Sequence, residues 1–254
     1  MSVFITGDVH GDNDIRKISS KNWPEGEELT KNDYLIVAGD FGLIWDVNES
    51  RKAEKYWIDQ LTNKPWTTLF VDGNHENFDR LNTLPIKEMF GERVGIVSDS
   101  IFHLQRGRIY SIDFNKFFAM GGAYSIDKIY RQEKISWWAE EVPSYQERLF
   151  AIQMLELHNN KVDYIITHTG PSSILGIFAA MYGKLDEYTY FLAEYINKTV
   201  EFKHWYFGHF HEDRKFGEKH TCLYNKIIKI FWKNKLTKNQ KNAIIDLSGR
   251  EKWK

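Results

Sequence analysis

Short apolar runs, each closed by a small or polar cluster, recur along the chain: Val3 to Thr6, Tyr34 to Ala38, Thr68 to Val71, Phe117 to Met120, Tyr164 to Thr167 and Trp205 to Phe207. Runs of this length predict buried strands. Between several of them apolar positions repeat at helical spacing, over Glu49 to Thr62, Tyr145 to His158 and Asp186 to Lys198. Each stretch has room for about three turns. Strands alternating with helices predict an α/β architecture.

The middle of the chain follows another grammar. Ile101 to Leu104, Arg108 to Ile112 and Lys116 to Met120 are separated by Arg106-Gly107 and by Asn115, breaks that predict successive hairpins. Further strand is expected over Thr221 to Trp232 and Ala243 to Leu247, bridged by a Lys/Asn-rich loop from Lys233 to Asn242. No repeat or low-complexity linker interrupts the pattern, so one domain over residues 1–254 is expected, ending in the segment 212–254.

Composition narrows the class. With 42% hydrophobic and 15% aromatic residues there is apolar area enough to offset chain entropy, which excludes wholesale disorder. The single cysteine, Cys222, excludes an intramolecular disulfide and a cysteine-rich zinc site, and suits a reducing compartment. The net charge of -1 conceals a basic end, since residues 212–254 carry 12 Lys/Arg against 5 Asp/Glu. A solvated basic face is the plainer reading of that end, with nucleic acid left open as a partner. Gly7-Asp8-Val9-His10-Gly11 cuts the first apolar run short of a signal peptide, and no window nears the roughly 18 apolar residues of a membrane helix. A cytoplasmic protein without a membrane partner is expected.

The ionisable residues fall where the apolar runs end. Val3 to Thr6 leads into Asp8 and His10, Tyr34 to Ala38 into Asp40, Thr68 to Val71 into Asn74 and His75, Tyr164 to Thr167 into His168, and Trp205 to Phe207 into His209 and His211. In open α/β sheets the carboxyl ends of strands form the ligand crevice, so these groups are expected to converge. Carboxylates, an amide oxygen and imidazoles make a mixed oxygen and nitrogen set suited to Mn, Fe, Zn or Ni. Seven ligands exceed the needs of one ion but serve two ions that share a bridging carboxylate.

In this order, Gly7-Asp8-Val9-His10-Gly11, Gly39-Asp40, Gly73-Asn74-His75-Glu76, Thr167-His168 with Pro171 behind it, and Gly208-His209-Phe210-His211 resemble the five signatures of the calcineurin-like metallophosphoesterases. The resemblance covers about residues 1 to 230. It implies a β-sandwich of two mixed sheets flanked by helices. It also implies two divalent metal ions, manganese first among Mn, Fe, Zn and Ni. Asp8, His10 and His211 would hold the first, Asn74, His168 and His209 the second, with Asp40 as the bridge and His75 as the catalytic histidine. Such a site hydrolyses a phosphodiester or phosphomonoester by metal-activated hydroxide. The substrate expected is a small phosphate ester or nucleotide, with a diester favoured. A nuclease, or a metal-bound scaffold without turnover, is the alternative.

Two details refine the resemblance. Phe41-Gly42-Leu43-Ile44-Trp45-Asp46 follows Gly39-Asp40 where phosphoprotein phosphatases carry Asp-Arg-Gly, so the phosphate-binding arginine of that branch is missing. Gly121-Gly122-Ala123-Tyr124-Ser125, Arg131, Trp137-Trp138, Glu140-Glu141 and Pro143-Ser144 are instead similar to bacterial and phage-type members. Arg131 and Lys128 are candidates to grip phosphate, and Tyr124 to stack on a base. Trp137 and Trp138 read as packing anchors, and His103, His158, His204 and His220 as surface or hydrogen-bonded histidines. A carboxylate partner is expected for His75, from Asp46, Glu76 or Asp79.

Overall fold

The structure is a computed structural model, and it describes residues 1–47, 52–176 and 186–230. Among the described residues thirteen strands form two mixed sheets, with helices between them in sequence. The first contains β1 (Val3–Thr6), β2 (Tyr34–Ala38), β3 (Thr67–Val71), β4 (Ile86–Met89), β5 (Glu92–Ser98), β6 (Ile101–Leu104) and β13 (Ile228–Ile230). Its order is β13-β1-β2-β3-β6-β5-β4, with β1, β2, β3 and β6 parallel. The second contains β7 (Arg108–Ile112), β8 (Asn115–Met120), β9 (Tyr164–Thr167), β10 (His204–Phe207), β11 (Arg214–Phe216) and β12 (His220–Cys222), in the order β11-β12-β10-β9-β8-β7.

Strand alternation builds the layers. Val3, Ile5, Ile36, Leu69 and Val71 of the first sheet meet Tyr110, Phe117, Ala119, Tyr164 and Ile166 of the second in one buried core. Phe4, Leu35, Val37 and Phe70 point the other way, onto Trp23, Trp66, Leu61 of α1 (Lys52–Thr62) and Phe78 of α2 (Phe78–Leu81). On the outer face of the second sheet, Phe118, Ile165, Trp205 and Phe207 pack against α3 (Tyr145–Leu157) and the helical stretch begun by α4 (Glu187–Phe191). Fully buried apolar rows on both faces explain why these strands read as continuous apolar runs. Ser144 caps α3 by a reciprocal box with Glu147. Beyond α4 the helix expected over Asp186 to Lys198 passes through a π-helical turn at Leu192–Ile196.

Three expectations change. Arg106-Gly107 is a crossover and not a hairpin turn: β6 ends in the first sheet and β7 begins in the second. The true hairpin is β7–β8, whose turn residues Asp113 and Phe114 have φ of 48° and 63°, the left-handed pair of a tight two-residue turn. Asn115, read as a break, is the first residue of β8. The strand expected over Thr221 to Trp232 divides into β12, paired parallel to β10, and β13, which returns to pair antiparallel with β1. Residues 49–51, the loop 233–242 and the strand 243–247 lie outside the described residues. No helix among the described residues is long and apolar enough to cross a membrane.

Candidate metal centre

The parallel strands β1, β2, β3, β9 and β10 deliver their C-terminal ends to one edge of the sandwich. Backbone conformation there is unusual: His10, Asp40, His209 and His211 have φ of 47°, 44°, 72° and 51°. Left-handed backbone at non-glycine residues is costly and marks functional turns. Glycines make the room. A Cβ at Gly73 would lie 2.0 Å from Asp40 Oδ1, one at Gly208 2.0 Å from Asp8 Oδ1, and one at Gly39 2.1 Å from His168 Nδ1.

Asp40 stands at the middle. Its Oδ2 is 3.1 Å from His10 Nε2, and its Oδ1 is 3.2 Å from His168 Nε2 and accepts the His75 backbone N–H at 2.8 Å. On the His10 side, His211 Nε2 lies 3.2 Å from Asp8 Oδ2, and one ligand atom each of Asp8, His10 and His211 falls within 4.8 Å of the others. His10, Asp40 and His75 meet the same condition. On the other side His168 Nε2 lies 3.0 Å from Asn74 Oδ1, and the His168 and His209 rings are 5.0 Å apart. All eight residues read from the strand ends, 200 positions apart in sequence, are thus brought together.

Groups that the sequence did not single out orient them. His10 Nδ1 is 2.7 Å from Asp14 Oδ2, and His168 Nδ1 is 3.0 Å from the Ala38 carbonyl, so both rings turn Nε2 inward. Tyr224 donates its hydroxyl to Asp14 at 3.2 Å and stacks on His211. Lys17 Nζ donates to the carbonyls of Gly7, Asp8 and Tyr224, pinning the first loop to the chain's far end. Asp14 at the fourth position after His10 is the single one of these that spacing marks; Tyr224 is distant in sequence from everything it touches.

His75 departs from expectation in its neighbour. Arg131 Nη2 lies 3.1 Å from His75 Nε2, where a carboxylate was expected. Glu76 is spent on the backbone N–H groups of Phe41 and Gly42, and Asp79 on the Trp138 indole and Lys134. The Asp46 carbonyl accepts from Asn77 and Arg80. Tyr124 carries Lys128 over its ring at 4.8 Å, and the same ammonium lies over Trp137. Trp138 is fully buried, as a packing anchor should be. His103 is buried against Asp72, half-buried His204 bonds Thr221, His158 bonds the Met154 carbonyl and His220 faces Asn197, all hydrogen-bonded roles.

Charge is concentrated here. Burial works to raise Asp8 and Asp40, and the imidazoles around them overcome it and hold both below the ordinary carboxylate value. Burial opposes the charge on His10 and His168, yet Asp40 and Asp8 raise each to about 9. Burial drives His209 down to about 3, and it lowers His75 too, with Arg131 acting in the same sense. Two buried carboxylates are therefore neutralised by protonated imidazoles, charges that a divalent cation replaces as those protons leave. A hard and borderline donor set on glycine-cleared, strained turns fits such a cation. Beside it opens a cavity of about 320 Å³ lined by His10, Asp12, Asn13, Gly42, Trp45 and His75.

This arrangement offers a candidate divalent-metal site at the ends of parallel strands. The calcineurin-like phosphoesterase family model matches residues 1–213, and the chain belongs to that family. It is also 27% identical over 161 residues to a lariat debranching enzyme of Schizosaccharomyces pombe, an alignment covering 58% of this chain and 33% of that protein. The chain thus spans about a third of the relative's length.

Proposed function

We propose that the chain hydrolyses a phosphodiester, of nucleotide type, with two divalent cations, one held by Asp8, His10 and His211 and one by Asn74, His168 and His209, with Asp40 between them. The observation that carries this reading is the division of the Asp40 carboxylate, one oxygen toward His10 and the other toward His168. Metals in such a pair supply activated water and neutralisation of phosphate charge.

The chain's own groups supply the rest. His75 lines the cavity, and with Nε2 accepting from Arg131 its ring N–H is the donor it can offer a phosphoryl or leaving-group oxygen. Arg131 steers that ring, and its buried Nη1, 3.9 Å from Glu141 Oε1, makes no hydrogen bond, which leaves a donor for a phosphate oxygen. Ile126, Ile129 and Tyr130, all exposed, adjoin Arg131 and offer an apolar bank to whatever the phosphate carries. A diester is favoured because that bank serves a second substituent, and because the relative is named for debranching lariats. Tyr124 serves a base only from the face that Lys128 leaves open.

The test is hydrolysis of bis(p-nitrophenyl) phosphate and p-nitrophenyl phosphate by metal-stripped, Mn²⁺-reconstituted protein, beside Asp40→Asn and His75→Ala. Diester cleavage should vanish with bound metal in Asp40→Asn, and fall about 10² to 10⁴-fold with metal retained in His75→Ala. Turnover of the monoester alone overturns the diester preference. A two-metal protein that cleaves neither overturns the enzymatic reading of this site.

A further inference from the structure

Behind Asn74 runs a line of buried polar groups that the reaction as proposed does not use. Asn74 donates through Nδ2 to Ser125 Oγ at 3.0 Å, and the Ser125 hydroxyl donates to Glu141 Oε2 at 2.5 Å. Glu141 Oε1 in turn accepts the Trp138 backbone N–H at 3.3 Å. The three side chains belong to residues 4%, 3% and 1% exposed, so water does not substitute for any of these partners. Their backbones are tied as well: the Ala123 N–H donates to the Glu141 carbonyl, and the Gly122 N–H to the carbonyl of Asp72.

Hydrogen-bond bookkeeping gives this line a direction. Burial raises Glu141 to about 8, and whether it is ionised or carries its proton on Oε1, its Oε2 accepts the one proton of the Ser125 hydroxyl, leaving only lone pairs on Ser125 to face Asn74. A carboxamide has two ends of nearly the same shape, and a lone pair admits only its NH₂ end. Oδ1 is thereby turned the other way, to 3.0 Å from His168 Nε2 and beside Asp40. An unrestrained carboxamide has no such preference and presents its NH₂ group, which holds no cation, in half of its orientations.

We propose that Ser125 and Glu141 are positioning residues for Asn74, fixing its carboxamide oxygen toward the second cation. The proposal rests on the reading of Asn74 as a ligand of that cation. Neither residue touches the cation or the substrate; each acts through the one before it. Partners of metal ligands in this position are worth roughly 10 to 100-fold in metal affinity.

The experiment is a calorimetric titration of Mn²⁺ into metal-stripped wild type, Ser125→Ala, Glu141→Gln and Asn74→Ala, with the Tm of each metal-free protein recorded. Wild type should take two equivalents. Ser125→Ala should keep one at wild-type affinity and bind the other 10 to 100-fold more weakly, the same one that Asn74→Ala loses, while its metal-free Tm stays within a few degrees of wild type. Glu141→Gln should fall between, and serves if Ser125→Ala does not fold. Two unaltered equivalents in both variants overturn the proposal while leaving the ligand assignment intact. A single equivalent in wild type overturns the two-metal reading, and the proposal with it.

Discussion

Replacing Gly73 with alanine separates the stability of this fold from the geometry of its site. The new Cβ would lie 2.0 Å from Asp40 Oδ1 and 2.2 Å from the Asp40 backbone nitrogen. A carbon and an oxygen settle at about 3.3 Å, so Asp40 and residue 73 must part by about 1.3 Å. Metal–ligand distances tolerate about 0.2 Å, and a misplacement of about 1 Å is enough to cost about 10²-fold in rate. Gly73 is not left-handed, so no dihedral penalty is added. Overpacking costs about 1–3 kcal/mol, offset by about 0.4–1 kcal/mol from the stiffer unfolded chain, for a net loss of about 0–2.6 kcal/mol. Gly91 is the control, with φ of +83° and nothing within 4 Å of an added Cβ, so that Gly91→Ala costs a similar 1–2 kcal/mol or so by strain alone. Thermal unfolding of the metal-free proteins should show comparable losses. Mn²⁺ titration should show near-normal uptake in Gly91→Ala and a loss of at least about 10-fold in affinity in Gly73→Ala, with hydrolysis down about 100-fold. A Gly73→Ala protein that binds Mn²⁺ and turns over as Gly91→Ala does would refute the argument that the position of Asp40 governs the site.

Two further outcomes are expected. His204 and His220 are held at about 4, each by burial, with the charge of Lys215 adding to the first and that of His204 to the second. The unfolded imidazoles bind protons below about 6.5 and the folded ones only near 4, so the unfolded chain holds more protons between those values and stability falls as the pH drops from about 6.5 to about 4. Both rings are partly exposed, which screens the effect to about 1 kcal/mol each. Urea unfolding at pH 7.5 and pH 5 should lose about that much less in a His204→Gln/His220→Gln protein than in wild type; identical pH dependence would dismiss the assignment. Arg131→Gln should raise the KM for a diester about 10 to 100-fold, the worth of one charged hydrogen bond, and Arg131→Lys should not restore it, because one ammonium cannot both steer His75 and reach the phosphate. A KM unchanged in Arg131→Gln would remove the arginine from substrate binding.

What was legible in the sequence was what local chemistry dictates. Strands buried on both faces are continuous apolar runs, and β1, β2 and β9 begin and end where those runs do. Their polar ends were legible for the same reason, since a charged side chain following such a run must sit at the sheet's edge. Strands β4 and β11 were missed because their side chains are mostly exposed, charged or mixed, and leave no apolar run to read. The Arg106-Gly107 crossover was misread because a turn residue reports the bend and not which sheet the chain enters next. Arg131 was legible as a basic residue in a loop, but its place on His75 depends on packing between segments 56 positions apart. Ser125 and Glu141 stood in segments similar to family members, but the contact of Ser125 with Asn74, 51 positions away, and that of Tyr224 with Asp14, 210 away, left no spacing to detect.

The far end of the chain closes the near end's site. Both oxygens of Asp8 accept the backbone N–H of His209, 201 positions later, and β13 pairs with β1 through Val3 and Ile230. On a ribosome adding about 5–20 residues per second, Asp8 emerges some 10–40 s before the His209 backbone N–H that both its oxygens accept and the His211 ring beside it. Through that interval the first loop has its local partners His10, Asp14 and Lys17 but not its distant ones, and the high sequence separation of those places its assembly among the last events of folding. If the proposed ligands hold metal, insertion follows synthesis of His209 and His211, and a nascent chain stalled before His209 should retain no Mn²⁺ after gel filtration.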